Sequence, residues 1–229
     1  MVRRRVGVLG SVARHVAAPS VAGADSEPAG AAVAGGATGS LVAIGGGGWD
    51  EGGEILAAIK ALAAEHTQRE SGFRVLILPH ASAKDDAGQA GVTMWEAAGC
   101  TVVNHAQDPI EREAALAELE MADILWFPGG SQTKLAEALE GADLMGTIRQ
   151  RSGAGMVIAG TSAGAAIQSE AMLSGAPVPG AYISGAKATT DSPEPRPGWI
   201  SGLTHRGLAL WRPVILDQHF TQRSRQSRL

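Results

Sequence analysis

Met156-Val-Ile-Ala-Gly-Thr-Ser-Ala-Gly-Ala165 reads as an apolar strand, a tight turn and the opening of a helix. Four apolar residues in a row suit a strand covered on both faces. Gly160-Thr-Ser-Ala-Gly164 then matches G-x-S-x-G, in the strand–turn–helix context that gives the motif meaning. A serine at such a turn sits in a strained backbone conformation and needs small neighbours, which Gly160 and Gly164 supply. Its hydroxyl would stand above the sheet edge, so Ser162 is the candidate nucleophile. Ala163 opens the helix, and its N–H can help hold an oxyanion. A phosphate-binding turn is the competing reading, but neither a G-x-G-x-x-G spacing nor a following Walker lysine is present.

The same grammar repeats upstream. Leu41–Ile44, Arg74–Leu78, Thr101–Val103 and Asp123–Phe127 are short apolar runs, and each ends in a Gly, a Pro or a polar residue. Helical spacing lies between them, at Glu54–Ala64, 84–98, Glu111–Met121, Lys134–Leu139 and Leu144–Arg151, and again at Ala163–Met172. Strands alternating with helices predict right-handed βαβ units, hence an α/β three-layer sandwich with a mostly parallel sheet. In such sheets sites form at the carboxyl ends of the strands. A last strand is predicted at Val214–Leu216, running into Asp217-Gln-His-Phe220.

Residues 173–213 break the pattern. They hold six prolines (177, 179, 193, 195, 197 and 213) and many Gly and Ser, with Ala181–Ser184 as a short strand candidate. Residues 1–39 are Ala, Gly, Ser and Val without a period, and read as a mostly unstructured leader before a domain at 40–229.

Composition narrows the classes. The chain has 229 residues, 45% of them apolar, which is enough for one domain with a core. A net charge of -4 gives no overall attraction to nucleic acid. One cysteine, Cys100, forbids an internal disulfide and fits a reducing, cytoplasmic setting. Met1-Val-Arg-Arg-Arg5, an apolar stretch and Ala22-Gly-Ala24 resemble an export signal, the alternative, but Arg14 and His15 interrupt it. No run reaches the ~20 apolar residues of a membrane span. No HExxH or Cys/His cluster suggests a metal, and no cofactor is expected.

A serine hydroxyl needs a base. Among six histidines, His219 follows the last predicted strand at the edge where Ser162 should lie. His80, after the second strand, is the alternative. Phe127-Pro-Gly-Gly-Ser-Gln132 closes the preceding strand, where Gly130 can present a second oxyanion N–H and Gln132 can hold a substrate amide or carboxylate. Between 201 and 229 there are five arginines and one acidic residue, Asp217. Such a cluster beside a nucleophile suggests a substrate with carboxylates, unless it is only a solvated tail.

Gly160-Thr-Ser-Ala-Gly-Ala165, Phe127-Pro-Gly-Gly-Ser-Gln132 and the segment from Asp217 to Leu229 resemble three signature segments of cyanophycinases, in peptidase family S51, which also holds aspartyl dipeptidases. Leu41-Val-Ala-Ile-Gly-Gly-Gly47 resembles the family's first strand and turn. The resemblance implies a sheet similar to that of class I glutamine amidotransferases. It also implies hydrolysis of cyanophycin, a polyaspartate with arginine on its side chains, to β-Asp-Arg dipeptides. Carried over by position, Ser162 is the nucleophile, His219 the base, and Gly130 and Ala163 the oxyanion donors. Gln132, Asp217, Gln218, Arg223, Arg225 and Arg228 match substrate-pocket positions. The partner implied is thus a peptide rich in Asp and Arg, and the resemblance points to a homodimer.

Two departures are visible. The family's acidic third triad member would lie beyond Leu229, so the domain reads as C-terminally incomplete. The Pro-rich stretch 187–198 is longer than usual and borders the site. The alternatives are a related isoaspartyl or aspartyl dipeptidase, and an inactive homologue that binds such polymers.

Overall fold

Apolar runs too short for helices pair edge to edge in the computed structural model, which describes residues 8–9, 12–16, 39–46, 53–173, 199–201 and 204–219. The first elements are β1 (Val8–Leu9), β2 (Val12–Val16), β3 (Ser40–Ile44), α1 (Glu54–Thr67), β4 (Arg74–Ile77), α2 (Gln89–Ala97) and β5 (Thr101–Asn104). Then come α3 (Arg112–Met121), β6 (Ile124–Phe127), α4 (Gln132–Gly141), α5 (Met145–Gly153), β7 (Val157–Thr161) and α6 (Ala163–Ala166). The last are β8 (Ala171–Leu173), β9 (Trp199–Ser201) and β10 (Thr204–Arg206). The main sheet has the order β1-β2-β3-β7-β6-β4-β5. Its five strands from β3 to β5 are parallel. A small antiparallel sheet, β8-β10-β9, stands apart from it.

The continuous apolar strands have a direct cause. Successive residues point to opposite faces, and both faces are covered. Leu41, Leu76, Leu125 and Ile158 pack with Ala115 and Leu119 of α3, Leu135 of α4 and Ile148 of α5. Their neighbours Val42, Val75, Ile124 and Val157 pack with Ile59 and Leu62 of α1 and Trp95 of α2. Trp95 meets Trp126 edge-on at 5.7 Å between ring centroids, worth about 1 kcal/mol beyond the area they bury. Two helices start on side-chain caps. The Glu111 carboxylate accepts from the Glu113 and Ala114 N–H groups, and Ser131 Oγ accepts from that of Lys134. Among the described residues no helix is long and apolar enough to cross a membrane.

Four expectations are corrected. Within the stretch expected to be an unstructured leader, β2 pairs antiparallel with β3 over five residues, and β1 pairs with β2. Valines at 12 and 16 favour extended backbone, and the outer edge of β3 offers the N–H and C=O groups that such a strand completes. The helix expected over 84–98 starts only at Gln89. Gly88 before it adopts φ 84°, where an added Cβ would collide with the Asn104 side chain.

The helix expected to run from Ala163 to Met172 stops at Ala166, and Ala171–Leu173 is a strand. The acceptors a longer helix would need are taken. Gln168 O accepts from Leu210 and Trp211, and Ile167 O from Leu208. Finally, Val214–Leu216 is not a strand. Both edges of β3 are occupied, by β2 and β7, so no ladder awaits it. Instead the Leu216 N–H goes to Ser169 Oγ, and Val214 and Ile215 are exposed. The candidate strand at 181–184 and the Pro-rich stretch 187–198 lie outside the described residues.

Candidate active site

β7 delivers Ser162 at the carboxyl edge of the sheet with φ 54° and ψ −109°. A non-glycine residue in this region stores roughly 1–3 kcal/mol of strain, which the surroundings must hold. Two kinds of contact do so. The Ser162 N–H donates to Ile44 O at 2.9 Å, tying the turn to the end of β3. The flanking glycines let backbone close in, as the sequence predicts. A Cβ at Gly160 would collide with the Gly164 carbonyl, and one at Gly164 with the Phe127 carbonyl.

The candidate base arrives on an irregular arm. His219 Nε2 lies 3.0 Å from Ser162 Oγ, although the two residues are 57 apart in sequence. Its backbone N–H donates to Gly45 O at 2.8 Å, so the turn after β3 holds both partners. Gly46 is the other half of this fit. At φ 100° it leaves the space that the imidazole fills, and a Cβ there would stand 2.6 Å from His219 Nε2. A hydroxyl bonded to the lone pair of an imidazole can lose its proton as it attacks, which is the requirement for nucleophilic catalysis by serine.

The remaining candidates are distributed around this pair. Gly129 faces Ser162, with an added Cβ 3.4 Å from the serine Cβ. Gly130 follows at φ 144° against the Ala81 carbonyl, which accepts the Ser131 N–H at 2.8 Å. Ala163 is buried beside the serine. Gln132 is also buried, and its amide N–H donates to Leu173 O at 2.7 Å, bracing α4 against β8. Asp217 is half-buried and accepts the Gln218 N–H through Oδ1, while Gln218 is buried. Arg223, Arg225 and Arg228 lie outside the described residues. No group of three or more His, Cys, Asp or Glu able to hold a metal occurs among the described residues.

His80, the alternative base, is buried and has its Nε2–H committed to Gln107 O at 2.9 Å. It therefore serves the loop after β4, while His219 is the imidazole bonded to the serine. Burial pushes the His80 pKa below its ordinary 6.5. The Gln107 carbonyl and Asp108 oppose that shift, and His105 and Lys134 add to it. Unfolded, the group binds a proton near 6.5; folded, it does so only at lower pH. Its stabilising contribution is therefore complete above about pH 6.5 and is lost as pH falls through the folded value. Melting temperatures measured from about pH 7.5 to 5 should fall on acidification, and His80→Gln should flatten that fall. An equal slope in the variant would assign the pH dependence elsewhere.

Three contributors escaped the sequence reading: Gly46, Gln168 and Ser169. Gly46 sits within a visible Gly run, but its partner His219 is remote. Gln168 and Ser169 carried no local signal, because they lay within an expected helix.

The model of the family described as peptidase family S51 matches residues 41–229. A cyanophycinase of Trichormus variabilis is 34% identical over 124 residues, which is 54% of this chain and 37% of that protein. A cyanophycinase of Geminocystis herdmanii is 34% identical over 112 residues, 48% of this chain and 36% of its own. The chain thus matches little more than a third of the length of these relatives. Among solved structures, a peptidase from an acI-B1 Actinobacterium superposes with a TM-score of 0.57 at 17% identity, covering 83% of this chain and 73% of that one. A crystal structure assigned to peptidase E of Listeria monocytogenes EGD-e gives 0.53 at 20% identity, covering 83% and 86%. At such identities the likeness is one of fold, a peptidase E-like α/β sandwich.

Proposed function

The chain belongs to peptidase family S51, and from that premise we propose that it is a serine peptidase which hydrolyses cyanophycin to β-Asp-Arg dipeptides through an acyl-enzyme on Ser162. The observation that carries the reading is the 3.0 Å contact between His219 Nε2 and the hydroxyl of a serine held at φ 54°. The substrate class comes from the cyanophycinase relatives.

In the proposed reaction Ser162 Oγ attacks the carbonyl carbon and its proton passes to His219 Nε2. The carbonyl oxygen becomes an oxyanion, which N–H groups of Gly130 and Ala163 receive. Ala163 opens α6, where first-turn N–H groups have no partner within the helix, and Gly130 lies in the turn before the Ser131 cap of α4. The bond from carbon to the leaving nitrogen breaks as His219 gives that nitrogen its proton. Water then attacks the acyl ester, with His219 as base again, releasing the carboxylate and restoring Ser162. Asp217 suits the arginyl guanidinium of such a substrate, and Arg223, Arg225 and Arg228 its carboxylates.

The test is release of β-Asp-Arg from insoluble cyanophycin by the purified chain, with Ser162→Ala alongside. Release by the wild type alone is the expected result. No release, from a chain that still hydrolyses short isoaspartyl peptides, would assign a dipeptidase. Binding to the polymer without any hydrolysis would make the protein a binder.

A further inference from the structure

We infer that Gln168 and Ser169, just beyond α6, are the positioning residues that hold His219 against Ser162, an inference that rests on the peptidase reading above. The base-bearing arm, residues 207–219, forms no strand, so something other than a sheet ladder must place its end. Its anchors converge on the chain just beyond the nucleophile helix. Leu210 and Trp211 donate to Gln168 O at 2.9 and 3.0 Å, and Ala209 donates to Ser169 O at 3.0 Å.

The Gln168 side chain is fully buried and joins three parts of the site. Its Nε2 donates to Val42 O of β3 and to Gly164 O of α6, both at 3.1 Å. Its Oε1 accepts from Trp211 Nε1 on the arm at 3.2 Å. One amide therefore touches the strand beneath the nucleophile, the nucleophile's own helix and the arm of the base. Ser169 is also fully buried, and its Oγ accepts the Leu216 N–H at 2.8 Å, three residues before His219. The His219 N–H is itself tied, to Gly45 O at 2.8 Å. A buried hydroxyl whose one described partner is that N–H is placed to set where the imidazole stops. Proton transfer from serine tolerates little error in donor–acceptor distance, and a misplacement of about 1 Å can cost 10²-fold.

The test uses the full chain and a fluorophosphonate probe that labels Ser162, read as a labelling rate well below the melting temperature. Ser169→Ala is expected to label ten- to a hundred-fold more slowly, and Ser169→Thr, which keeps the hydroxyl, to recover most of that loss. Leu119→Ala, on the buried face of α3, is the control for stability. It should lower the melting temperature as much or more and still label at the wild-type rate. Labelling of folded Ser169→Ala at the wild-type rate would overturn the inference. Where Ser169→Ala does not fold, Leu216→Pro removes the same hydrogen bond from the other side, and the same slowing or its absence decides. A wild type that is not labelled at all would overturn the peptidase reading, and the inference with it.

Discussion

Ser162→Ala and His219→Ala should each lower turnover by on the order of 10⁶-fold, and the double variant should lose no more than either single change. The reason lies in the 3.0 Å bond between them. The hydroxyl is a poor nucleophile without the imidazole, and the imidazole has nothing to deprotonate without the hydroxyl. Two groups that act as a unit give costs that do not add. Neither change should threaten the fold. Ser162→Ala removes one oxygen at the sheet edge, and His219 lies on an irregular arm rather than within the packed layers. The melting temperature should therefore move little while activity vanishes. Steady-state release of dipeptide, measured beside a thermal melt, checks both halves. Losses that multiply in the double variant would mean that the two residues act in separate steps.

Gly46→Ala is expected to cost about 10²–10³-fold in turnover, although no atom of Gly46 takes part in the chemistry. Glycine is required here twice over. At φ 100° any side chain is strained, by roughly 1–3 kcal/mol. The new methyl would also occupy the place of the imidazole, 2.6 Å from Nε2. The imidazole can escape and backbone cannot, so the expected outcome is a folded protein whose His219 has left Ser162. The discriminating measurement is the pH profile of turnover beside the melting temperature. A general base that no longer reaches the serine should remove the acid limb of the profile, whereas simple destabilisation would leave its shape intact. Gly53→Ala makes a useful comparison. Gly53 also has positive φ, at 71°, but nothing lies within 4 Å of an added Cβ. It should show the backbone cost without the loss of activity.

What the sequence by itself determined is whatever depends on neighbours within a few residues. Apolar runs such as Val157–Ala159 announce a strand buried on both faces, because hydrophobicity without alternation has no other economical use in a short segment. Gly160-Thr-Ser-Ala-Gly164 announces the strained turn, because the two glycines and the serine bear on one another's backbone. From these came the parallel α/β sandwich and the candidate nucleophile. His219 was picked out as the residue after a last strand that does not form, and it reaches Ser162 Oγ at 3.0 Å on an irregular arm instead. The expected α6 failed for the opposite reason. Its residues have good helical spacing, but Gln168 O and Ile167 O are claimed by an arm some forty residues later. Val214–Leu216 has the composition of a strand and no vacant edge to pair with, since β2 had taken the outer side of β3. The fit of Gly46 to His219 likewise joins residues 173 positions apart. Hydrogen-bond acceptors and sheet edges are finite and are allotted across the whole chain, so which segment receives them was decided only by the tertiary structure.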